Sequence, residues 1–129
     1  MKRLIKSSDD IDYSSIPESN KHGDCFKVAF ETMQKDPKNR ILVHAIVTGQ
    51  GDIEGIEYSH AFVIDESRDV VIDNTVQGPQ KEFNTNLYYY IGKISISREY
   101  DAKSAYEHIL DTKQWGPWDS EILSKCKGI

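Results

Sequence analysis

The amino-acid sequence predicts an α+β fold, in which one helix precedes an antiparallel sheet and further helices follow it. Apolar residues first recur at helical spacing, then occupy four runs rich in β-branched and aromatic residues, and then return to helical spacing. The chain has 129 residues, a length that suits one hydrophobic core. We therefore expect a single domain over residues 1–129, with an extended lead-in over 1–20 and the core over 21–129.

The first helix is expected to begin at Asp24, whose side chain can cap the first turn. The helix should end before Asp36-Pro37, because the residue before a proline avoids helical backbone angles. Cys25 therefore falls in the first turn. The apolar face of this helix has the spacing of Phe26, Ala29, Phe30 and Met33.

Four segments are predicted to be strands. The run "ILVHAIVTG" (41–49) is almost continuously apolar, which indicates a buried strand. The segments "YSHAFVID" (58–65) and "VVIDNT" (70–75) are joined by the turn-rich "ESRD", which favours a hairpin. The fourth strand is "LYYYIGKISIS" (87–97), whose central glycine indicates a bulge or a close approach.

Two helices are predicted after the sheet. The segment "DAKSAYEHILDTK" (101–113) has one apolar face, and Asp101 can cap its first turn. The segment "SEILSKC" (120–126) follows the turn "QWGPWD" and has the length of a short last helix. The element order is helix, four strands, helix, helix, which is typical of an α+β domain.

Composition argues against two classes of partner. The net charge is −5, from 16 basic and 21 acidic residues, so a nucleic-acid partner is not expected. No window approaches the roughly twenty apolar residues of a membrane helix. The N-terminal "MKRLIKSSDD" is not followed by the apolar stretch of a signal peptide. We expect a cytoplasmic protein that binds neither nucleic acid nor membrane.

No metal or other cofactor is expected. The two cysteines, Cys25 and Cys126, do not form a CxxC pair, which makes a structural zinc site improbable. Zinc ligation by Cys25, His60 and Asp73 lacks an obvious fourth ligand. In a reducing compartment a structural disulfide between the two cysteines is not expected either.

Three residues that could take part in nucleophilic catalysis lie on separate predicted elements. Cys25 is at a helix start, His60 is in the strand segment "SHAFV", and Asp73 is in "VIDNT" on the next strand. The positive end of a helix and a nearby imidazolium both stabilise a thiolate, the nucleophilic form of cysteine. A histidine supplies the base and later the acid, and a carboxylate or amide orients its other nitrogen. The arrangement predicts a catalytic cysteine and histidine, with Asp73 or the adjacent Asn74 as the third residue.

The strand register decides which residue orients His60. If Ile64 pairs with Asp69, His60 faces Asp73, whereas a shift of one residue brings it opposite Asn74. We favour Asp73, because Val70 and Ile72 then share a buried face away from the catalytic one, and we keep Asn74 as the alternative orienter. The competing interpretation of Cys25 is a small hydrophobic residue in the core.

These local motifs resemble the papain-like cysteine enzymes, and most closely their transglutaminase-like branch. The resemblance rests on the cysteine at a helix start, "HAFV" (60–63) and "VIDNT" (71–75). That branch typically has His-Ala-Trp-Val and Asp-Pro-Thr, where this chain has Phe62 and Asn74. The segments "VTGQG" (47–51), "HAFV" and "GPWD" (116–119) also resemble small uncharacterised phage and bacterial proteins.

The resemblance implies a papain-like fold and acyl transfer at an amide bond of a protein or peptide substrate. Cys25 would be the nucleophile, His60 the base and Asp73 the orienting residue. The oxyanion would be stabilised by the backbone N–H of Cys25 and by one side-chain donor. The candidates for that donor are Asn20, His22 and Gln50.

Peptidase, amidase, deamidase and transglutaminase reactions all begin in this way, and the sequence does not choose among them. The alternative is a catalytically inactive binding protein on the same fold, for example a phage-encoded inhibitor of a host protein in the host cytoplasm. Exposed tyrosines and tryptophans would then make the main contacts. The substrate and the oligomeric state are left open.

Overall fold

The computed structural model describes residues 24–76 and 78–126, and the predicted lead-in over 1–20 lies outside these ranges. Within them, helices accompany one five-stranded antiparallel sheet with the order β4-β3-β2-β1-β5, so the predicted α+β class is confirmed. The elements in chain order are α1 (Asp24–Gln34), β1 (Arg40–Thr48), β2 (Glu57–Asp65), β3 (Val70–Ile72), β4 (Glu82–Asn84), α2 (Thr85–Gly92), β5 (Ile96–Tyr100), α3 (Ala102–Thr112) and α4 (Ser120–Leu123).

The sheet has a hydrophobic core on each face, because successive side chains of a strand point to opposite sides. On one face, α1 and α3 contribute to a cluster with Leu42, Ala61 and Val63. On the other face, Phe62 and Val71 pack with the ring of Tyr88 from α2. The central strand β1 is accordingly buried from Leu42 to Val47, as its continuous apolar sequence predicts.

The first helix agrees with the prediction. α1 spans Asp24–Gln34 and ends just before Asp36-Pro37. The four residues of its predicted apolar face are all buried, namely Phe26, Ala29, Phe30 and Met33. The predicted α3 is also confirmed, since the side chain of Asp101 accepts a hydrogen bond from the backbone N–H of Ser104 at 2.9 Å.

The hairpin between β2 and β3 forms, but neither expected register is correct. Ile64 pairs with Val71, and residues 66–69 form the turn. β3 ends at Ile72, earlier than predicted, so Asp73 lies beyond the strand rather than within it. The turn follows directly after Asp65, and its position determines which residues of the two strands pair.

The side chain of Asp65 determines where the hairpin turns. Its Oδ1 accepts hydrogen bonds from the backbone N–H of Ser67 at 3.0 Å and from the Ser67 hydroxyl at 2.6 Å. This side-chain turn competes with further strand pairing. Asp69 closes the loop in the left-handed region, with φ of 55°. Sequence alternation alone does not reveal such a local constraint.

The prediction of one strand over residues 87–97 is wrong. The segment forms the helix α2 (Thr85–Gly92) and then the strand β5 (Ile96–Tyr100), and the short β4 before them was missed. The side chain of Asn84 caps α2 by accepting a hydrogen bond from the N–H of Leu87 at 2.9 Å. The consecutive tyrosines favour a strand locally, but the cap and the packing of Tyr88 on Phe62 favour the helix.

The C-terminal segment packs against a buried histidine. His44 on β1 is fully buried, with ring contacts to Phe26, Tyr100 and Trp118. The predicted last helix is the single turn α4, capped by Asp119. No helix in the described ranges is both long enough and apolar enough to span a bilayer.

Candidate active site

Cys25 lies in the first turn of α1, where the backbone N–H groups point away from the helix toward its N-terminus. The side chain is half-buried and packs against the core cluster that α1 shares with β2. The helix dipole places partial positive charge at this end. The predicted position of Cys25 at a helix start is therefore found in the structure.

His60 lies on β2, with its side chain 14% exposed. Its Nε2 donates a hydrogen bond to Oδ2 of Asp73 at 2.8 Å. The neighbouring thiol of Cys25, through its hydrogen bonding and charge, is a second group that raises the pKa of the ring. Because Nε2 faces Asp73, Nδ1 is the ring nitrogen left for the sulfur. The structure thus brings together the three residues that the sequence predicted as a site.

Asp73 is 2% exposed. Its carboxylate accepts a hydrogen bond from each of the groups described below. Oδ1 accepts hydrogen bonds from the backbone N–H of Thr75 at 3.0 Å and from its hydroxyl at 2.6 Å. Oδ2 accepts from His60 and, at 2.6 Å, from the hydroxyl of Tyr88. Four donors from three segments of the chain therefore fix this carboxylate beside the imidazole.

Thr75 and Tyr88 are site residues that sequence reasoning missed. Thr75 was detectable, because an aspartate followed two residues later by threonine is a side-chain turn signature. Tyr88 was not, since its segment was predicted to be a strand. Only as part of α2 does its hydroxyl reach Asp73, while its ring packs against Phe62 at 4.8 Å between centroids.

The electrostatics favour an ionised pair. Burial lowers the pKa of His60, but hydrogen bonds to Asp73 and Cys25, with the charges on both, outweigh it and raise the pKa to about 10. Burial raises the pKa of Asp73, but the hydrogen bond and charge of His60, with the Thr75 and Tyr88 hydroxyls, lower it to about 2. Burial and the charge of Asp73 raise the pKa of Tyr88. At neutral pH the structure favours imidazolium beside carboxylate.

Two other predicted site residues, Asn74 and Gln50, bond to partners other than His60. Asn74, the alternative orienter, donates through Nδ2 to the hydroxyl of Thr32 on α1 at 2.8 Å. The amide of Gln50 donates to the carbonyl oxygen of Ile91 on α2 at 3.0 Å. Asn20 and His22 lie outside the described residues.

The second cysteine lies near the same strand. Sγ of Cys126 is 2.8 Å from the hydroxyl oxygen of Ser59, the residue next to His60 on β2. Burial raises the pKa of the Cys126 thiol. Neither cysteine forms a disulfide within the described residues. Cys126 is therefore a thiol beside a serine hydroxyl, whereas Cys25 is beside a histidine. The reactivity of Cys126 can serve as an internal reference for that of Cys25.

A cleft of about 420 Å³ opens beside the His60–Asp73 pair. His60 and Asp73 lie on its wall, Tyr88 lines it from α2, and Cys25 is not among its lining residues. A second cleft of about 610 Å³ lies along the loop after β1 and shares Thr48, Gln50 and Ile91 with the first. In the described part of the chain, no group of three or more His, Cys, Asp or Glu residues could hold a metal ion.

The class of protein that the described residues define is an α+β protein with an antiparallel sheet, in which a helix-start cysteine, a strand histidine and an aspartate converge. Comparison with known proteins found no matching family model, no matching curated protein and no matching solved structure.

Proposed function

We propose that this protein is a cysteine-dependent acyl-transfer enzyme of the papain-like or transglutaminase-like type. Cys25 acts as the nucleophile, His60 as the base and acid, and Asp73 as the residue that orients His60. The observation that carries the proposal is the His60 ring, which donates through Nε2 to Asp73 at 2.8 Å and whose pKa is raised by both Asp73 and the Cys25 thiol. The substrate is an amide of a protein or peptide.

The charge state of His60 supports the nucleophile. Its raised pKa, about 10, favours the imidazolium at neutral pH, because the hydrogen bonds and charges of its neighbours, Asp73 and Cys25, outweigh the cost of burial. An imidazolium and a helix N-terminus both stabilise an adjacent thiolate. The reactive form of Cys25 would therefore be the thiolate beside the His60 imidazolium.

The first half of the reaction forms a thioester. The sulfur of Cys25 attacks the amide carbonyl carbon, and the carbonyl electron pair moves to oxygen. As the thiolate loses its charge, the attraction that holds the proton on His60 weakens, so the imidazolium donates that proton to the leaving amine. The C–N bond then breaks, and the acyl group remains on Cys25.

The second half regenerates the enzyme. Asp73 stabilises the imidazolium that forms again, because its carboxylate stays ionised. Peptidase, amidase, deamidase and transglutaminase activities differ only in the leaving group and the second nucleophile.

The oxyanion donor within the described residues would be the backbone N–H of Cys25, which belongs to the helical turn whose N–H groups do not bond within the helix. Gln50 is a weaker candidate, since its amide already donates to Ile91. Asn20 and His22 remain candidates from the preceding segment.

Alkylation kinetics test the proposal without a known substrate. We expect iodoacetamide at about pH 6 to modify Cys25 at least about tenfold faster than Cys126, because only Cys25 has an imidazolium partner. His60→Ala should remove that difference. Peptide mass spectrometry reads both cysteines in one sample. Equal rates for the two thiols, or a Cys25 rate that ignores His60→Ala, would overturn the proposal.

A second candidate function is binding without catalysis. The observation that favours it is the exposed apolar surface of α2, where Leu87, Tyr90 and Ile91 are exposed to solvent. Apolar side chains in such a position are typical of interaction sites. An unreactive Cys25 in the alkylation experiment would favour this alternative.

A further inference from the structure

The cleft beside His60 has an apolar wall. Its apolar lining side chains come from β1, β2, β4, α2 and the segment after β3, and they are Val47, Tyr58, Val76, Phe83, Leu87 and Ile91. The volume of about 420 Å³ lies within the range of sites that bind small molecules or side chains. Binding to such a surface is most favourable for an apolar group, because both apolar surfaces are then removed from water.

Several polar groups of the lining already have protein partners. The hydroxyl of Thr75 donates to Asp73, and the amide of Gln50 donates to Ile91. Asp73 accepts four hydrogen bonds, and the described residues that line the cleft include neither lysine nor arginine. The charges of His60 and Asp73 compensate each other across their 2.8 Å contact. A charged ligand group would thus lose its water without gaining an uncompensated opposite charge, which is costly.

Two lining residues of α2 are apolar and unusually exposed. Leu87 is 53% exposed and Ile91 is 48% exposed, and they are four residues apart on the helix, so they lie on one face. A ligand in the cleft would cover this surface. The exposure has no explanation within the packing of the described residues.

The cleft does not end at this helix. Thr48, Gln50 and Ile91 line both this cleft and the second one, of about 610 Å³, along the loop after β1. The two clefts are therefore neighbours with a shared wall. An elongated ligand fits such a pair better than a compact one.

We propose that the first cleft binds one large apolar or aromatic side chain of an extended polypeptide substrate. This inference rests on the proposed function, since it places the side chain beside His60 so that the adjoining carbonyl can approach Cys25. Leu87 and Ile91 are its specificity-determining residues. Substrates with aspartate or lysine at the same position are excluded by the desolvation cost.

The test uses chloromethyl ketones of N-acetylated phenylalanine, aspartate and lysine. The thiolate of Cys25 displaces chloride, so a C–S bond forms as the C–Cl bond breaks. We expect the phenylalanine reagent to label Cys25 at least about tenfold faster than the other two, which is read by peptide mass spectrometry. Leu87→Glu should abolish the preference, because it places a charge on the cleft wall.

The matched control is Leu110→Glu on α3. Leu110 is also an exposed leucine on a helix, at 41%, but it does not line the cleft. This variant should keep the preference. Iodoacetamide is run in parallel, because it has no side chain and reports only the reactivity of the thiol.

The two proposals fail in distinguishable ways. If iodoacetamide labels Cys25 rapidly but the three reagents react equally, the cleft inference is overturned and the proposed function stands. If Cys25 is inert to iodoacetamide, the proposed function fails, and the cleft is judged by calorimetric binding of N-acetyl-phenylalanine amide to the unmodified protein. Binding that Leu87→Glu abolishes then supports the cleft inference, and absent binding overturns it.

Discussion

Nε2 of His60 and Oδ2 of Asp73 lie 2.8 Å apart, although the two residues are not cross-strand partners. Asp73 reaches the ring from beyond the end of β3, and Thr75 holds its other oxygen. The contact is therefore fixed by a local side-chain turn and not by strand register. A substitution of the Asp73 carboxylate can therefore test its role without changing the strand pairing of the sheet.

The first prediction concerns Asp73→Asn, which preserves the shape of the side chain and removes its charge. We expect the pKa of His60 to fall, since the Asp73 hydrogen bond and charge both raise it. Fewer molecules then carry the imidazolium at neutral pH, and iodoacetamide should label Cys25 at least about tenfold more slowly. Peptide mass spectrometry measures the rate.

Asp65→Asn is the control for this substitution. Asp65 is also a buried aspartate at the end of a strand, and it accepts the same pair of hydrogen bonds from Ser67 that Asp73 accepts from Thr75. Both variants should lose about 1–3 kcal/mol of unfolding free energy. Only Asp73→Asn should slow Cys25, so equal slowing by the two variants would contradict a specific role for Asp73.

The second prediction concerns the Tyr88 hydroxyl, which donates to Asp73 at 2.6 Å. Tyr88→Phe removes this donor and keeps the ring against Phe62. We expect the pKa of Asp73 to rise, because the Tyr88 hydrogen bond is one of the contacts that lower it. NMR titration of the Asp73 carboxyl carbon measures this shift.

Tyr89→Phe is the matched variant for Tyr88→Phe. The Tyr89 ring also contacts Phe62, with centroids 5.7 Å apart, but its hydroxyl does not bond to Asp73. The titration of Asp73 should be the same in this variant as in the original protein. A shift of similar size in both variants would mean that ring packing, and not the hydroxyl, controls the carboxylate.

The sequence predicted the elements whose patterns are long and regular. The helical spacing of α1 and α3 and the apolar run of β1 were read correctly, because burial on one or both faces dictates them. The convergence of Cys25 and His60 followed from the order of these elements. The register did not follow, since the side-chain turn at Asp65 fixes it and alternation along a strand does not record that turn.

The tyrosine segment shows why part of the site was missed. Three consecutive tyrosines favour a strand when only neighbouring residues are considered. The helix α2 forms because Asn84 caps it and because Tyr88 packs on the face of the sheet opposite α1. These are contacts between distant parts of the chain, so the hydrogen bond from Tyr88 to Asp73 was beyond single-sequence reasoning.

The third prediction is a loss of stability in alkali. The folded-state pKa of His60 is raised from 6.5 to about 10, so its stabilising effect is complete below pH 6.5 and is lost as the pH rises to about 10. Denaturant titrations should show the unfolding free energy falling over this range by at most about 1.4 kcal/mol per pH unit. His60→Gln should flatten this slope, and an unchanged slope in that variant would assign it to other groups.

The fourth prediction is a loss of stability in acid that comes from His44. Burial, with a smaller effect from the charge of His108, lowers the pKa of His44 to about 3. Neither ring nitrogen of His44 has a hydrogen-bond partner among the described residues. The unfolded chain therefore binds a proton near pH 6.5 that the folded chain does not, and stability must fall as the pH drops from 6.5 toward 3.

His44→Leu removes this titration and retains an apolar side chain of moderate size between α1 and the C-terminal turn. We expect its unfolding free energy to depend less on pH between 6.5 and 3, as measured by urea titration at several pH values. Asp73 contributes a separate acid step, because its lowered pKa stabilises the fold above 3.8 and that effect is lost toward about 2. The His44 step must disappear in His44→Leu while the Asp73 step persists; if both remain, the buried imidazole is not the origin of the acid lability.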